Sequence, residues 1–278
     1  MRSMSSGSSA AGRPPVLPGA EPFASDGGPV GVLVCHGFTG SPRTVRPWAE
    51  YLAAAGLTVR APRLPGHGTS WADLAKTGWR DWYAAAQDAF RELDGSCEQV
   101  FVAGISMGGC LALRLAETQG SKVKGIVLVN PSLASDTKLL TVAPLLKHVI
   151  RSVPGIGGDI KKPGAAEGSY KRVPVAAAAT LPDMWRTTTA QLTEVRQPLL
   201  VFRSVTDHVV GPPSMRVLLA ALPGAEVREL ADSYHVATLD NDAPAIFAGS
   251  LEFIKEHAGF LEELGGSSPS EASPEKRA

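Results

Sequence analysis

Gly104-Ile105-Ser106-Met107-Gly108 is the stretch of sequence that decides the fold. Residues 100–103 precede it as an apolar run that predicts a buried strand, and residues 109–116 follow it with helical composition. A serine on so sharp a strand-to-helix turn adopts a strained backbone conformation and points its hydroxyl outward. Glycines two positions to either side avoid collisions with the neighbouring strand and helix. The stretch therefore predicts a nucleophilic serine at position 106.

Other interpretations of the same glycines are an ordinary turn with an incidental serine and a nucleotide-binding loop. A phosphate-binding loop requires Lys-Ser or Lys-Thr after the turn, and a dinucleotide-binding turn requires Gly-x-Gly-x-x-Gly after a strand. The chain contains neither pattern. The sequence therefore argues against nucleotide binding, and the incidental serine stays open until partners for Ser106 are found.

Strand-like and helix-like segments alternate along the chain. Short β-rich runs, most of them continuously apolar, predict strands at residues 30–35, 57–61, 100–103, 123–129, 199–202 and 226–230. Helices are predicted at residues 41–56, 79–93, 109–116, 213–222 and 243–257. This order favours an α/β fold with a mostly parallel sheet covered by helices on both faces.

Residues 131–195 interrupt this alternation. Helical pieces are predicted at residues 139–151, 175–179 and 184–192, and no strand is predicted there. We expect a small helical cap inserted over the sheet edge, the alternative being a helical decoration without a function. Leu133, Leu139, Leu140, Leu145, Leu146 and Trp185 are candidates for an acyl pocket or for the cap's own core.

Composition limits the class of protein. The 278 residues include 27 basic and 27 acidic side chains, so the sequence shows no electrostatic footprint for nucleic acid. No apolar stretch reaches the length of a membrane span, and residues 1–20 do not resemble a secretory signal. Three cysteines predict free thiols in a reducing compartment, the cytoplasm. We expect disordered tails at residues 1–15 and 265–278 around one domain at residues 16–264, and oligomeric state cannot be read from the sequence.

A serine nucleophile needs a base and a group that orients the base. His235 and Asp207 each follow a predicted strand at the sheet edge where Ser106 emerges, and the order Ser, Asp, His is that of an α/β-hydrolase. Competing histidines are His36, His67, His148, His208 and His257; competing acids are Asp183, Asp232, Asp240 and Asp242.

Two backbone amides are expected to bind the oxyanion that forms during acyl transfer. Met107 begins the helix after the serine, where amides lack intrahelical acceptors. The Gly-rich loop His36-Gly37-Phe38-Thr39-Gly40 is expected to present the amide of Phe38, with His36 fixing the loop. No metal-ligand pattern such as His-Glu-x-x-His occurs, so the predicted chemistry uses neither a metal nor a cofactor.

Together these motifs resemble those of the bacterial carboxylesterase and monoacylglycerol lipase group of the α/β-hydrolase superfamily. The resemblance covers roughly residues 16–264 and rests on residues 32–40, Pro65-Gly66-His67-Gly68, the stretch around Ser106, Thr206-Asp207 and residues 234–240. It implies Ser106 as nucleophile, His235 as base, Asp207 as its orienting acid, Phe38 and Met107 as oxyanion donors, and a small cap over an acyl pocket.

The resemblance also implies a small-molecule substrate, a short- to medium-chain carboxylic ester or a monoacylglycerol, cleaved through an acyl-enzyme. The cap departs from the group's pattern because residues 155–168 are rich in glycine and lysine. Three alternative substrates remain for the same triad: a thioester, a lactone or an aryl ester. A further alternative is a ligand-binding protein that keeps the fold without turnover.

Overall fold

A computed structural model describes residues 14–137, 143, 145–146, 149–155 and 157–259. Within these residues a seven-stranded sheet forms the centre of the molecule. Its strands are β1 (Phe23–Ser25), β2 (Val30–Cys35), β3 (Thr58–Ala61), β4 (Gln99–Ile105), β5 (Val123–Val129), β8 (Leu199–Ser204) and β9 (Glu226–Leu230). They lie in the order β1-β3-β2-β4-β5-β8-β9, and all pairs are parallel except the antiparallel pair β1–β3. The predicted parallel sheet is confirmed, and the short edge strand β1 was not predicted.

Helices cover both faces of this sheet. They are α1 (Arg46–Ala54), α2 (Trp71–Leu74), α3 (Trp79–Ser96), α4 (Met107–Gln119), α5 (Val175–Ala178), α6 (Leu181–Thr189), α7 (Pro212–Ala221) and α8 (Ala243–His257). The cores place α1 and α8 on one face and α3, α4 and α7 on the other. The predicted α/β class with helices on both faces is therefore confirmed.

Alternating side chains of each central strand enter the two cores. Along β2, Leu33 and Cys35 join the core under α3 and α4, whereas Val32 and Val34 join the core under α1 and α8. All four side chains are fully buried. Burial on both faces is why this strand appears in the sequence as a continuous apolar run rather than an alternating one.

The insertion between β5 and β8 contains a two-stranded antiparallel hairpin, β6 (Ser152–Pro154) with β7 (Arg172–Pro174). The prediction of no strand in this region was therefore wrong. Each strand has only three residues and ends in proline, a residue that cannot donate to a ladder and is uncommon inside strands. Neither segment therefore shows the sequence pattern from which a strand is predicted. The predicted helix at residues 139–151 falls mostly outside the described residues. The helix predicted at residues 184–192 corresponds to α6 (Leu181–Thr189), which begins and ends earlier than predicted.

Both ends of the chain lie partly or wholly outside the described residues. Residues 1–13 of the predicted tail 1–15, and all of 265–278, lie outside the described residues, so the domain boundaries remain predictions. None of the helices in the described part of the chain is both long and apolar enough to cross a lipid bilayer.

Candidate active site

Ser106 lies at the junction between β4 and α4, in the strained backbone conformation that the sequence predicted. Its φ is 55° and its ψ is −121°, a left-handed region that non-glycine residues rarely adopt. A Cβ on Gly104 would overlap the carbonyl oxygen of Gly108, and a Cβ on Gly108 would overlap that of Cys35. The two glycines are thus required for the serine to sit on this turn.

Asp207 and His235 form a hydrogen-bonded pair. His235 Nδ1 donates to Asp207 Oδ2 over 2.8 Å, and the two side chains are 8% and 10% exposed. The other carboxylate oxygen of Asp207 accepts from the amides of Val209 and Val210, both at 2.8 Å. Burial by itself raises the pKa of Asp207, but the hydrogen bonds from His235 and from these amides outweigh it and lower the pKa. Asp207 is therefore a fixed carboxylate that orients the imidazole.

Ser106 and His235 line the same cavity of about 290 Å³. It lies at the carboxyl ends of the parallel strands, where ligands bind in open α/β sheets. The cap contributes an apolar wall to it, formed by Val153, Pro154, Val173, Ala178, Leu181 and Trp185. The structure thus brings the predicted nucleophile and base together beneath the cap, and places Trp185 in the pocket lining.

Phe38 and Met107, the predicted oxyanion donors, also line this cavity. Met107 is the first residue of α4, where the first amides have no acceptor within the helix. The loop that carries Phe38 passes close to the serine, because a Cβ on Gly37 would lie 3.2 Å from the Cβ of Ser106. Both backbone segments therefore border the space next to the serine hydroxyl.

His36 supports this loop from below and is fully buried. Its Nδ1 donates to the carbonyl oxygen of Gly37 over 2.9 Å, and its Nε2 accepts from the amide of Leu64 at 3.2 Å. Burial lowers the pKa of His36 to about 4. A neutral ring with both nitrogens occupied fixes the loop, as the sequence predicted.

The other histidines lie elsewhere. His67 is fully buried and packs edge-on against Phe38 and Trp82. His208 is exposed and pairs with a cap carboxylate, and His257 belongs to the last turn of α8. His148 falls outside the described residues.

The alternative acids hold other parts of the fold. Asp183 accepts from an indole N–H and pairs with two arginines. Asp232 pairs with a lysine at the surface, and the carboxylate of Asp240 accepts from four backbone amides. The carboxylate of Asp242 accepts from the amide of Asp232, and the backbone amide of Asp242 donates to Ser233 Oγ. Of the five candidate acids, Asp207 is the one whose carboxylate bonds to the ring of His235.

Asn130 is a residue of the site that sequence reasoning missed. It follows β5 with a φ of 45°, and its Nδ2 donates to the carbonyl oxygen of His235 and to Ser204 Oγ, both at 2.9 Å. Its Oδ1 accepts from the amide of Ser204 at 2.8 Å. The signal was available, because Asn130 is a polar residue directly after a buried strand, as Asp207 is near the end of β8. Asp159, in the cap loop, was missed as well and also lines the cavity.

Comparison with known proteins gives concordant results. The model of the alpha/beta hydrolase family matches residues 32–249. A thermostable monoacylglycerol lipase of Bacillus sp. (strain H-257) is 42% identical over 252 residues, which cover 88% of this chain and 98% of the relative. A carboxylesterase of Bacillus subtilis (strain 168) is 26% identical over 85% of this chain and 96% of the relative.

A solved structure is also similar. It belongs to a study of LipS and LipT, two metagenome-derived lipolytic enzymes. It superimposes with a TM-score of 0.84 at 41% identity, covering 87% of this chain and all of that one. The similarity extends over nearly the whole length of each relative.

Proposed function

The chain belongs to the α/β-hydrolase family and is a hydrolase that acts on esters, and we propose that it cleaves uncharged carboxylic esters with Ser106 as nucleophile, His235 as base and Asp207 as the orienting acid. The observation that carries this proposal is the 2.8 Å pair of His235 with Asp207, next to a serine on a strained turn in the same cavity. Relatives named as a monoacylglycerol lipase and a carboxylesterase support it.

The proposed reaction has two steps. His235 takes the hydroxyl proton of Ser106 while Oγ attacks the ester carbonyl, and the same proton then goes to the departing alcohol as the C–O bond breaks. In the second step His235 takes a proton from water, the resulting hydroxide attacks the acyl-enzyme, and the proton returns to Ser106 as the acid leaves. The charged Asp207 stabilises the imidazolium that forms in each step.

The amides of Phe38 and Met107 bind the oxyanion in this proposal. Both residues line the cavity beside Ser106. Helix α4 holds the backbone of Met107, and the hydrogen bonds of His36 to Gly37 and Leu64 hold the loop of Phe38. Donors fixed in this way stabilise developing charge without reorganisation, and removal of one such donor typically costs a factor of about 100–1,000 in turnover.

The substrate class follows from the cavity wall. Its cap side is apolar and suits an acyl chain. The described lining residues include the carboxylates Asp159 and Glu167 and no lysine or arginine. We therefore propose short- to medium-chain esters of uncharged alcohols, monoacylglycerols among them. Among the alternatives, this charge pattern disfavours thioesters whose leaving group carries phosphates.

Labelling with a fluorophosphonate probe tests the nucleophile. The native protein should react and Ser106→Ala should not; ester hydrolysis by Ser106→Ala at the native rate would refute the mechanism. Asp207→Asn should keep the fold and lower turnover by up to about 10,000-fold. A native protein that folds but neither reacts with the probe nor cleaves esters would instead support the ligand-binding alternative.

A substrate panel tests the ester class. p-Nitrophenyl esters of graded acyl length, a monoacylglycerol, a lactone and a thioester should show the highest kcat/KM for uncharged esters. Two aryl esters that differ by one carboxylate on the leaving group isolate the charge effect, and the neutral one should react at least about tenfold faster, since like charges repel in a low-dielectric cavity. Equal rates would refute the charge argument.

We further propose that the protein works in the cytoplasm and that its folded domain spans residues 16–264. All three cysteines are free, and Cys35 and Cys110 are buried, as expected where thiols stay reduced. Fractionation of cells that express the protein tests the compartment. Thermal unfolding of the chain trimmed to residues 16–264, which should match that of the full chain, tests the boundaries.

A further inference from the structure

We infer that Asp159, a carboxylate of the cap loop, is a positioning residue that holds the proposed base and the proposed acid in register. This inference rests on the proposed function. Oδ2 of Asp159 accepts from the backbone amide of His235 at 3.1 Å and from the backbone amide of His208 at 3.2 Å. Its Oδ1 accepts from the ring Nδ1 of His208 at 2.8 Å. One side chain, 11% exposed, thus binds two different loops.

Those two loops carry the proposed base and acid. His235 is the base itself, and His208 directly follows Asp207, whose carboxylate binds the ring of His235. A single oxygen of Asp159 that accepts from both backbones sets the distance between them. Acid–base pairs work only within about 0.5 Å of the productive geometry, so this distance affects turnover.

The backbone of His235 is held on both sides. Its carbonyl oxygen accepts from Asn130 at the end of β5, and its amide donates to Asp159 from the cap. Asn130 directly follows strand β5 of the sheet, whereas Asp159 lies in the insertion between β5 and β8. The cap is therefore part of the support of the base as well as the wall of the cavity.

Asp159 is itself held in place by further contacts between the cap loop and the loop of His235. Its carbonyl oxygen accepts from the amide of Val236 at 3.1 Å. The buried carboxylate of Asp240 accepts from the amides of Lys161 and Lys162 at 2.7 and 2.8 Å. With both sides of the contact fixed, the position of Asp159 is transmitted to His235 rather than absorbed by movement of the cap loop.

Asp159→Ala and Asp159→Asn test this role, with Asp232→Asn as the matched control. Asp232 joins the loop of His235 to the cap loop through Lys161 Nζ at 2.7 Å, but its carboxylate is 59% exposed. Among the described residues it makes no hydrogen bond to His235 or Asp207. The measurements are kcat and KM for an uncharged ester, the rate of fluorophosphonate labelling, and the unfolding midpoint. Ser106→Ala measured alongside tests the proposed function separately.

For Asp159→Ala we expect kcat and the labelling rate to fall together by about 10- to 100-fold, with KM within about twofold of native. Asp159→Asn keeps one acceptor oxygen and should recover at least half of that loss on a logarithmic scale. Asp232→Asn should stay within about twofold of native. A raised KM with native kcat would show that Asp159 contacts substrate instead, and a lowered unfolding midpoint with native kcat would show a purely structural role. Either result overturns the inference, whereas an active Ser106→Ala overturns the proposed function.

Discussion

The side-chain amide of Asn130 donates a hydrogen bond to the backbone carbonyl oxygen of His235 over 2.9 Å, joining the end of β5 to the loop of the proposed base. The residue satisfies the polar backbone at the sheet edge with both ends of its amide, since Oδ1 accepts from Ser204 N and Nδ2 also donates to Ser204 Oγ. Its φ of 45° lies in a region that asparagine tolerates better than most residues.

We expect Asn130→Ala to lower the free energy of unfolding by about 2–3 kcal/mol, because it leaves buried groups of Ser204 and His235 without partners. Turnover should fall at least about tenfold as the loop of His235 shifts. Urea unfolding and steady-state kinetics measure the two effects. Asn130→Asp keeps the acceptor of the side chain but loses its donor, so its turnover should be no higher than that of Asn130→Ala.

The control for Asn130 is Asn241→Ala, which removes one exposed bond to Asp232 on the same loop. It should unfold with a free energy within about 0.5 kcal/mol of the native protein. If Asn130→Ala behaves like this control, the proposed role of Asn130 is wrong.

Gly108→Ala should prevent the elbow from forming. The new Cβ would overlap the backbone of Cys35, which lies in the central strand β2 and cannot move aside. We expect insoluble protein, or soluble protein that fluorophosphonate does not label. Gly95→Ala is the matched control, because Gly95 is helical in α3 and, apart from its chain neighbours and the backbone of its own helix, no atom lies within 4 Å of the new Cβ. That change should leave labelling intact and raise stability by up to about 1 kcal/mol. Native-like labelling of Gly108→Ala would contradict the overlap.

Local patterns sufficed to predict the parts of the fold with a strong period. Strands β2, β5 and β9 and helix α8 have the predicted bounds, because β-rich or helix-periodic composition marks each of them locally. The same logic placed Ser106 at the end of β4. These elements needed no knowledge of the rest of the chain.

The missed features depend on contacts between distant parts of the sequence. Asp159 lies 76 residues from His235, and no local period marks a cap-loop aspartate as a partner of that amide. The hairpin of β6 and β7 pairs two proline-containing tripeptides across a loop, so each strand alone lacks a strand pattern. Edge strand β1 is too short to show alternation. Tertiary pairing, rather than local propensity, determines these parts.

Trp185→Ala should shift the preference towards longer acyl chains. The ring of Trp185 lines the cap side of the cavity and the residue is 8% exposed, so removal of the ring enlarges the space for the acyl chain. We expect the ratio of kcat/KM for a long-chain to a short-chain p-nitrophenyl ester to rise by about tenfold, since each added methylene buried gains about 0.8 kcal/mol. Tyr51→Ala, a partly exposed aromatic on α1, is the control and should leave the ratio unchanged. An unchanged ratio in Trp185→Ala would exclude this wall as the acyl site.

His36 should make stability depend on acidity. Burial lowers its pKa to about 4 in the native state, against about 6.5 in the unfolded chain, so the unfolded state binds more protons between these values. The contribution of His36 is complete above pH 6.5 and is lost as the pH falls towards 4. The advantage of the native protein over His36→Asn in unfolding free energy should therefore shrink on acidification by on the order of 2 kcal/mol. The control is His257→Asn, on the last turn of α8. An advantage of the native protein over His36→Asn that stays constant on acidification would contradict the prediction.

Glu117, near the C-terminal end of α4, should make stability depend on pH in the direction opposite to that of His36. Its side chain is 1% exposed; Oε2 accepts from Arg114 at 2.8 Å, and Oε1 has no partner among the described residues. Burial raises the pKa of Glu117 to about 7 although Arg114 lowers it in part. The native state therefore binds the extra proton, and stability is highest below pH 4.5 for this group and declines as the pH rises to about 7.

The neutral variant Glu117→Gln removes this proton linkage. Relative to the native protein, its free energy of unfolding should rise between pH 5 and pH 8 by on the order of 2 kcal/mol, because the native protein alone must bury a charge at the higher pH. Urea unfolding at four or five pH values measures the difference, and the comparison cancels the titration of His36. Glu98→Gln makes the same chemical change at an exposed position and should show no such trend. A difference that falls with pH would mean that the ion pair with Arg114 outweighs burial, which would reverse the assigned cause.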